Sequence, residues 1–68
     1  MNTYEQQQKE VMDMLSSLRD EMSIERIAVE IGKGYHTIWR WMTGKGMPDK
    51  GDHELIKELY RKLIKKNA

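Results

Sequence analysis

Apolar residues recur in the N-terminal part of the chain at spacings of three, four and seven, which place them on one face of a helix. These residues are Tyr4, Val11, Leu15, Leu18 and Met22. The pattern predicts a helix over about residues 3–20 with Thr3 as its N-cap. Its solvent side would carry Gln6, Gln7, Gln8, Lys9 and Asp13. Met12 lies off the apolar face and is a candidate interface residue.

Two short helices are predicted in the middle of the chain. The first covers about residues 24–31, follows the N-cap residue Ser23, and has an apolar face formed by Ile24, Ile27, Ala28 and Ile31. The second covers about residues 35–43. Each ends at a Gly-Lys-Gly sequence, because glycine adopts the left-handed backbone of a helix stop without the penalty that a β-carbon brings.

A fourth helix is predicted over about residues 53–66, after a turn-rich loop around Pro48 and with Asp52 as its N-cap. Its apolar stripe is Leu55, Ile56, Leu59, Tyr60, Leu63 and Ile64. No stretch has the apolar–polar alternation of a strand. We therefore expect one all-α domain of four helices over residues 1–68, with a helix-turn-helix at its centre.

The composition argues against several classes of protein. The chain has no cysteine, and its histidines, His36 and His53, lack the neighbouring ligands of a metal site. It has no Ser-His-Asp arrangement and no P-loop frame around either Gly-Lys-Gly sequence. The polar N-terminus is not signal-like, and the apolar runs are too short for a bilayer. We expect a cytoplasmic protein that is not an enzyme, does not bind membranes, and uses no metal, cofactor or small-molecule ligand.

Charge is distributed unevenly, although the net charge is only +1. The first 30 residues have three basic and seven acidic side chains, whereas the rest of the chain has nine basic and four acidic ones. No acid occurs between Glu30 and Asp49, where Lys33, Arg40 and Lys45 are found. Such a stretch is typical of a surface that approaches phosphates. A partly buried hairpin that tolerates few charges of either sign would also explain it.

The predicted third helix has one apolar and one polar face. Ile38, Trp41 and Met42 share one arc of the helical wheel and are expected in the core. The opposite arc has His36, Arg40 and Thr43, bordered by Tyr35, Thr37 and Trp39. Every exposed position is thus a hydrogen-bonding or large aromatic residue. A helix of nine residues is about 13 Å long, comparable to the roughly 12 Å width of the major groove of DNA.

Residues 23–48 resemble the helix-turn-helix of the Cro/repressor family, found in phage repressors and small bacterial regulators. The resemblance lies in Ala28, Gly32, Ile38, Trp41 and the pattern Thr-Ile-x-Arg-Trp-x-x-Gly-x-x-x-Pro that ends at Pro48. It covers about 26 residues, and the flanking helices match only in their placement. Many relatives have a phosphate-binding glutamine at the position of Ile24, and most have a small polar residue at the position of Trp39.

The resemblance implies which residues contact DNA. Base contacts would come from Tyr35, His36, Trp39 and Arg40. Arg40 is the strongest candidate, because arginine bidentate to guanine is the commonest specific contact. Backbone contacts would come from Ser23, Lys33, Thr37, Thr43 and Lys45. Trp39 is expected to pack on sugars, on a thymine methyl group, or over the edge of the domain.

The sequence therefore predicts a sequence-specific regulator of transcription, a small phage-type repressor in a bacterial or phage-infected cell. It would bind a palindromic operator in double-stranded DNA as a homodimer, because one copy reads too few base pairs for high specificity. One alternative is a protein-interaction module, antitoxin-like or an adaptor, on the same fold. Another is DNA recognition for packaging or recombination.

Overall fold

The computed structural model describes residues 3–64, which form four helices and no strand. They are α1 (Thr3–Glu21), α2 (Ile24–Ile31), α3 (Tyr35–Met42) and α4 (Lys50–Leu63). The prediction of an all-α domain with four helices is confirmed. Helix α4 was expected to end at about residue 66 but ends at Leu63, because Ile64 is its C-cap; residues 65 and 66 lie outside the described residues. Within the described part of the chain, no helix is long and apolar enough to cross a membrane.

One apolar core holds the four helices together. Helix α1 packs against all three others, and α3 packs against α1 and α2 but not, within residues 3–64, against α4. The buried apolar residues are Val11, Met14, Leu15, Leu18, Ile24, Ile27, Ala28, Ile31, Ile38, Trp41, Ile56 and Leu59. Helices α1 and α4 are also joined by His53, whose Nε2 lies 3.1 Å from Glu10 Oε1. The outer side of α3 is therefore left uncovered by the rest of the domain.

The ends of α2 and α3 follow the sequence signals closely. Ser23 is the N-cap of α2, as predicted, and its hydroxyl oxygen accepts a hydrogen bond from the Arg26 N–H at 3.1 Å. Gly32 and Gly44 have φ angles of +83° and +79°, so both predicted glycine stops are confirmed. After each glycine, the lysine N–H donates to the carbonyl five residues earlier, at 3.0 Å for Lys33 and 2.8 Å for Lys45. The two Gly-Lys-Gly sequences thus close two helices in the same way.

Three other predicted helix ends are also corrected. Asp52 is not the N-cap of the last helix; α4 begins at Lys50, because the Asp49 carboxylate accepts the Asp52 N–H at 2.9 Å and caps the helix earlier. Thr3 is already helical, so it is not an N-cap, and the residue before it lies outside the described residues. Helix α3 ends at Met42, one residue earlier than expected, because Thr43 is its C-cap.

The predicted apolar faces of α1 and α4 also need correction. Tyr4 is exposed, because the buried face of α1 begins only at Val11. Met14 is buried instead, three residues after Val11 on the same face. Leu55 is exposed at the side of the buried stripe of α4, which consists of Ile56 and Leu59.

The turn between α2 and α3 offers a matched test of backbone conformation. At Gly32 a β-carbon would contact nothing within 4 Å, so only the positive φ opposes a side chain there. Gly34, at φ −77°, has the same open surroundings and an ordinary backbone. We expect Gly32→Ser to lower the free energy of unfolding by about 1–2 kcal/mol. Gly34→Ser should have no effect or stabilise slightly, because serine is a good N-cap.

Urea unfolding monitored by helical circular dichroism measures both variants against the parent chain. Equal losses of stability at residues 32 and 34 would contradict the left-handed stop at Gly32.

Candidate nucleic-acid interface

Helix α3 is fixed to the domain by its inner face. Ile38 is fully buried and Trp41 is only 6% exposed, as predicted, and Met42 packs half-buried against the same core. Because these side chains contact the core formed with α1 and α2, the helix cannot rotate about its axis without exposing them. The orientation of its outer face is therefore set by the core.

The outer face of α3 has no acidic residue. Tyr35, His36, Trp39, Arg40 and Thr43 are all exposed, and Thr37 is half-buried at the edge. The tyrosine and histidine rings lie edge to face, with centroids 6.1 Å apart. The helix has eight residues, and at 1.5 Å per residue it is about 12 Å long, close to the width of the major groove. The face thus presents hydrogen-bonding and aromatic groups over a length that fits a groove of B-form DNA.

A lysine lies at each end of α3. Lys33 follows the glycine that ends α2, and Lys45 follows the glycine that ends α3, so the same helix stop positions both. Both side chains are exposed. We call the outer face of α3 together with these two lysines the α3 surface. The N-cap residue Ser23 lies apart from the turn, at the other end of the eight-residue α2.

One of the two lysines is paired with an acid from α4. Lys33 Nζ lies 3.3 Å from Asp52 Oδ2, and the aspartate side chain is only 14% exposed. Sequence reasoning missed this pair, because it joins two residues that are 19 positions apart and because Asp52 was taken to be a helix cap. The pair places one negative charge beside the turn that precedes α3. A phosphate that contacts Lys33 would have to compete with it.

Arg40 leans toward the loop that follows α3. Its Nη2 lies 3.5 Å from the carbonyl oxygen of Lys45, at the outer limit of a hydrogen bond, and the guanidinium is exposed. The side chain lies beside Gly46, where a β-carbon would be 3.8 Å from Nε. A bond this long costs little to break. The guanidinium is therefore free to move toward a ligand at little energetic cost.

Two of the predicted backbone-contact hydroxyls already have partners. The Thr43 hydroxyl donates to the carbonyls of Trp39 at 3.0 Å and Arg40 at 3.3 Å, so its one hydrogen is shared within the helix. The Ser23 oxygen accepts from Arg26, which leaves its hydrogen available to a phosphate. Ser23 is thus better suited than Thr43 to donate to DNA.

The end of α3 is braced by α1, which the sequence pattern did not indicate. Gln8 was placed on the solvent side, and this is wrong: it is half-buried, and its Nε2 donates to the Gly44 carbonyl at 3.0 Å. Met12 is half-buried, and its sulfur lies 3.3 Å from the position of a β-carbon on Gly44, so this side chain packs against the glycine. Both contacts restrain the glycine that precedes Lys45.

The two departures from the repressor-like pattern have different surroundings. Ile24 is buried in the core, so this position has no side chain available for a phosphate. Trp39 remains 41% exposed, in contrast to the buried Trp41 two residues later. Comparison of the chain with protein-family models, with curated proteins and with solved structures finds no match in any of the three.

Proposed function

We propose that the chain is a sequence-specific DNA-binding regulator of transcription, a repressor that acts by occupying its site. Helix α3 enters the major groove, with Arg40, His36, Tyr35 and Trp39 against base edges. Ser23, Lys33, Thr37 and Lys45 contact the backbone and fix the register. Thr43 keeps its hydroxyl bond to the helix and lines the groove.

The observation that carries the proposal is an outer face without acids on a helix that is firmly braced. A duplex has one phosphate charge per about 1.7 Å of axis, so a carboxylate on this face would be repelled. The inner face of α3 is buried, and Gln8 fixes the loop at its end. The helix can therefore enter a groove without rearrangement of the core. The resemblance of residues 23–48 to repressor helix-turn-helix segments supports the same function.

A second copy completes the proposed mode of action. Half-sites one helical turn apart let a two-fold dimer place two α3 helices in successive major grooves. Two copies double the number of base contacts, which supplies the specificity that one small domain lacks. The proposed operator is a palindrome for this reason.

A protein-interaction module is the second candidate, and one observation favours it. Val29 is 74% exposed on α2, and Leu55 is exposed on α4 beside a groove that Glu30, Glu58 and Arg61 also line. Leu55 is thus an exposed apolar side chain at a groove, a feature of protein-binding surfaces, and Val29 is a second exposed apolar side chain on α2. This surface is separate from the α3 surface, so mutations distinguish the two functions.

We expect Arg40→Ala to weaken binding to the cognate duplex by about 1–3 kcal/mol, because it removes a bidentate base contact. The matched control is Arg61→Ala, which removes the same charge from an exposed position on α4, a helix that does not touch α3 in residues 3–64. Selection from random duplexes supplies the cognate site, and fluorescence anisotropy measures binding. Equal affinity of Arg40→Ala and the parent chain would remove Arg40 from the reading surface. If the parent chain shows no salt-dependent DNA binding, the interaction module is favoured.

We expect Asp52→Asn to strengthen DNA binding. It releases Lys33 from its ion pair and removes a negative charge beside the turn. One additional phosphate contact should steepen the slope of log K against log salt by about 0.9, which corresponds to at most about an eight-fold gain in affinity at 0.1 M salt.

Asp13→Asn is the matched control for this substitution, because Asp13 is also paired with a lysine, Lys9, at 3.8 Å, but on α1 beside α4. The control should leave the salt slope unchanged. If both variants steepen the slope equally, the change comes from the higher net charge of the protein and not from the release of Lys33 from its ion pair.

A further inference from the structure

We propose that Trp39, together with Tyr35 one turn earlier, reads the 5-methyl groups of thymine in the major groove. The proposal rests on the DNA-binding function proposed above and names the base that these two residues select.

The two aromatic rings on the outer face of α3 are exposed. Trp39 and Tyr35 are 41% and 46% exposed, on a helix whose other tryptophan is buried. The core residue Trp41, by comparison, is only 6% exposed. The exposed surface of these rings is removed from water only when a ligand covers it. A ligand that offers an apolar group at this place would gain free energy by covering the rings.

The major groove of DNA offers an aromatic ring one apolar contact. The edges of base pairs in the major groove present hydrogen-bond donors and acceptors, and one apolar group, the C5 methyl of thymine. The face of an aromatic ring gains free energy from contact with this methyl group. Over the other base edges, the same ring face would leave the hydrogen-bond donors and acceptors of the bases without partners. Thymine is thus the base that fits an aromatic side chain best.

Tyr35 and Trp39 lie together on one side of α3, apart from Arg40. Residues four apart lie on one ridge of a helix, so Tyr35 and Trp39 form an aromatic ridge. Arg40 lies about 100° further round the helix, on the other side of His36. The ridge spans about 6 Å along the axis, which approaches two base-pair steps of about 3.4 Å each. It therefore reaches one or two thymines per half-site, at positions different from the guanine that Arg40 reads.

The test removes single methyl groups from the DNA. A duplex recovered by selection from random sequences is remade with each thymine in turn replaced by deoxyuridine, which pairs with adenine in the same way. We expect a loss of affinity of about four-fold at one or two positions of the half-site, the value of one buried methyl group.

The same duplexes are then measured with three variants of the protein. Trp39→Ala should bind more weakly and lose the deoxyuridine penalty at its position. Trp39→Phe, which keeps an apolar ring, should retain the penalty. Arg40→Ala should bind more weakly and retain the penalty in full. Circular dichroism establishes that each variant is folded.

The outcomes separate this inference from the function on which it rests. If the parent chain binds no duplex, the proposed function fails and the inference with it. If it binds without any deoxyuridine penalty, or if Trp39→Ala keeps the full penalty, only the thymine assignment is overturned. A loss of affinity in Trp39→Ala that is the same for thymine and deoxyuridine would mean that the ring packs on sugars, which also overturns the inference.

Discussion

Ile38 and Trp41 bury the inner face of α3 against a core shared with α1 and α2, and this packing determines what α3 can present outward. Residues 3–64 have one apolar core, and every helix packs against it. The side chains three apart on α3 pack into this core, and the opposite side is left to solvent or a ligand. Without the packing of Ile38 or Trp41, α3 could rotate about its axis, and the residues of the α3 surface would no longer face outward together.

The charges around α3 follow from how the helices end. Both Gly-Lys-Gly sequences place glycine in the left-handed region, and the next residue closes the helix with its backbone N–H. The residue after the glycine is a lysine in both sequences, so each helix stop also places a positively charged side chain at one end of α3. Asp52 reduces the effect of Lys33, whereas Lys45 is held near Arg40. The turn before α3 is therefore less positive than the sequence suggests.

Local signals in the sequence were sufficient to predict much of the fold. Ser23, Gly32 and Gly44 act through their own backbone or a hydrogen bond three to five residues away, so their roles can be read from sequence. Contacts between distant residues could not be predicted in this way. The Gln8–Gly44 hydrogen bond spans 36 positions, and the Lys33–Asp52 pair joins the turn to α4. The cap at Asp49 was missed because Asp52, three residues later, carries the same side chain.

The most direct measurement of the central claim is a titration of the 15N-labelled chain with a duplex recovered by selection, followed by amide and indole chemical shifts. We expect the largest chemical-shift changes at Ser23, at residues 33–45 and at the Trp39 indole. The amides of α4 from Leu55 onward should change little, because this part of the helix lies away from α3. Changes concentrated on Leu55, Glu58 and Arg61 would contradict this expectation and would identify the groove that these residues line as the binding surface.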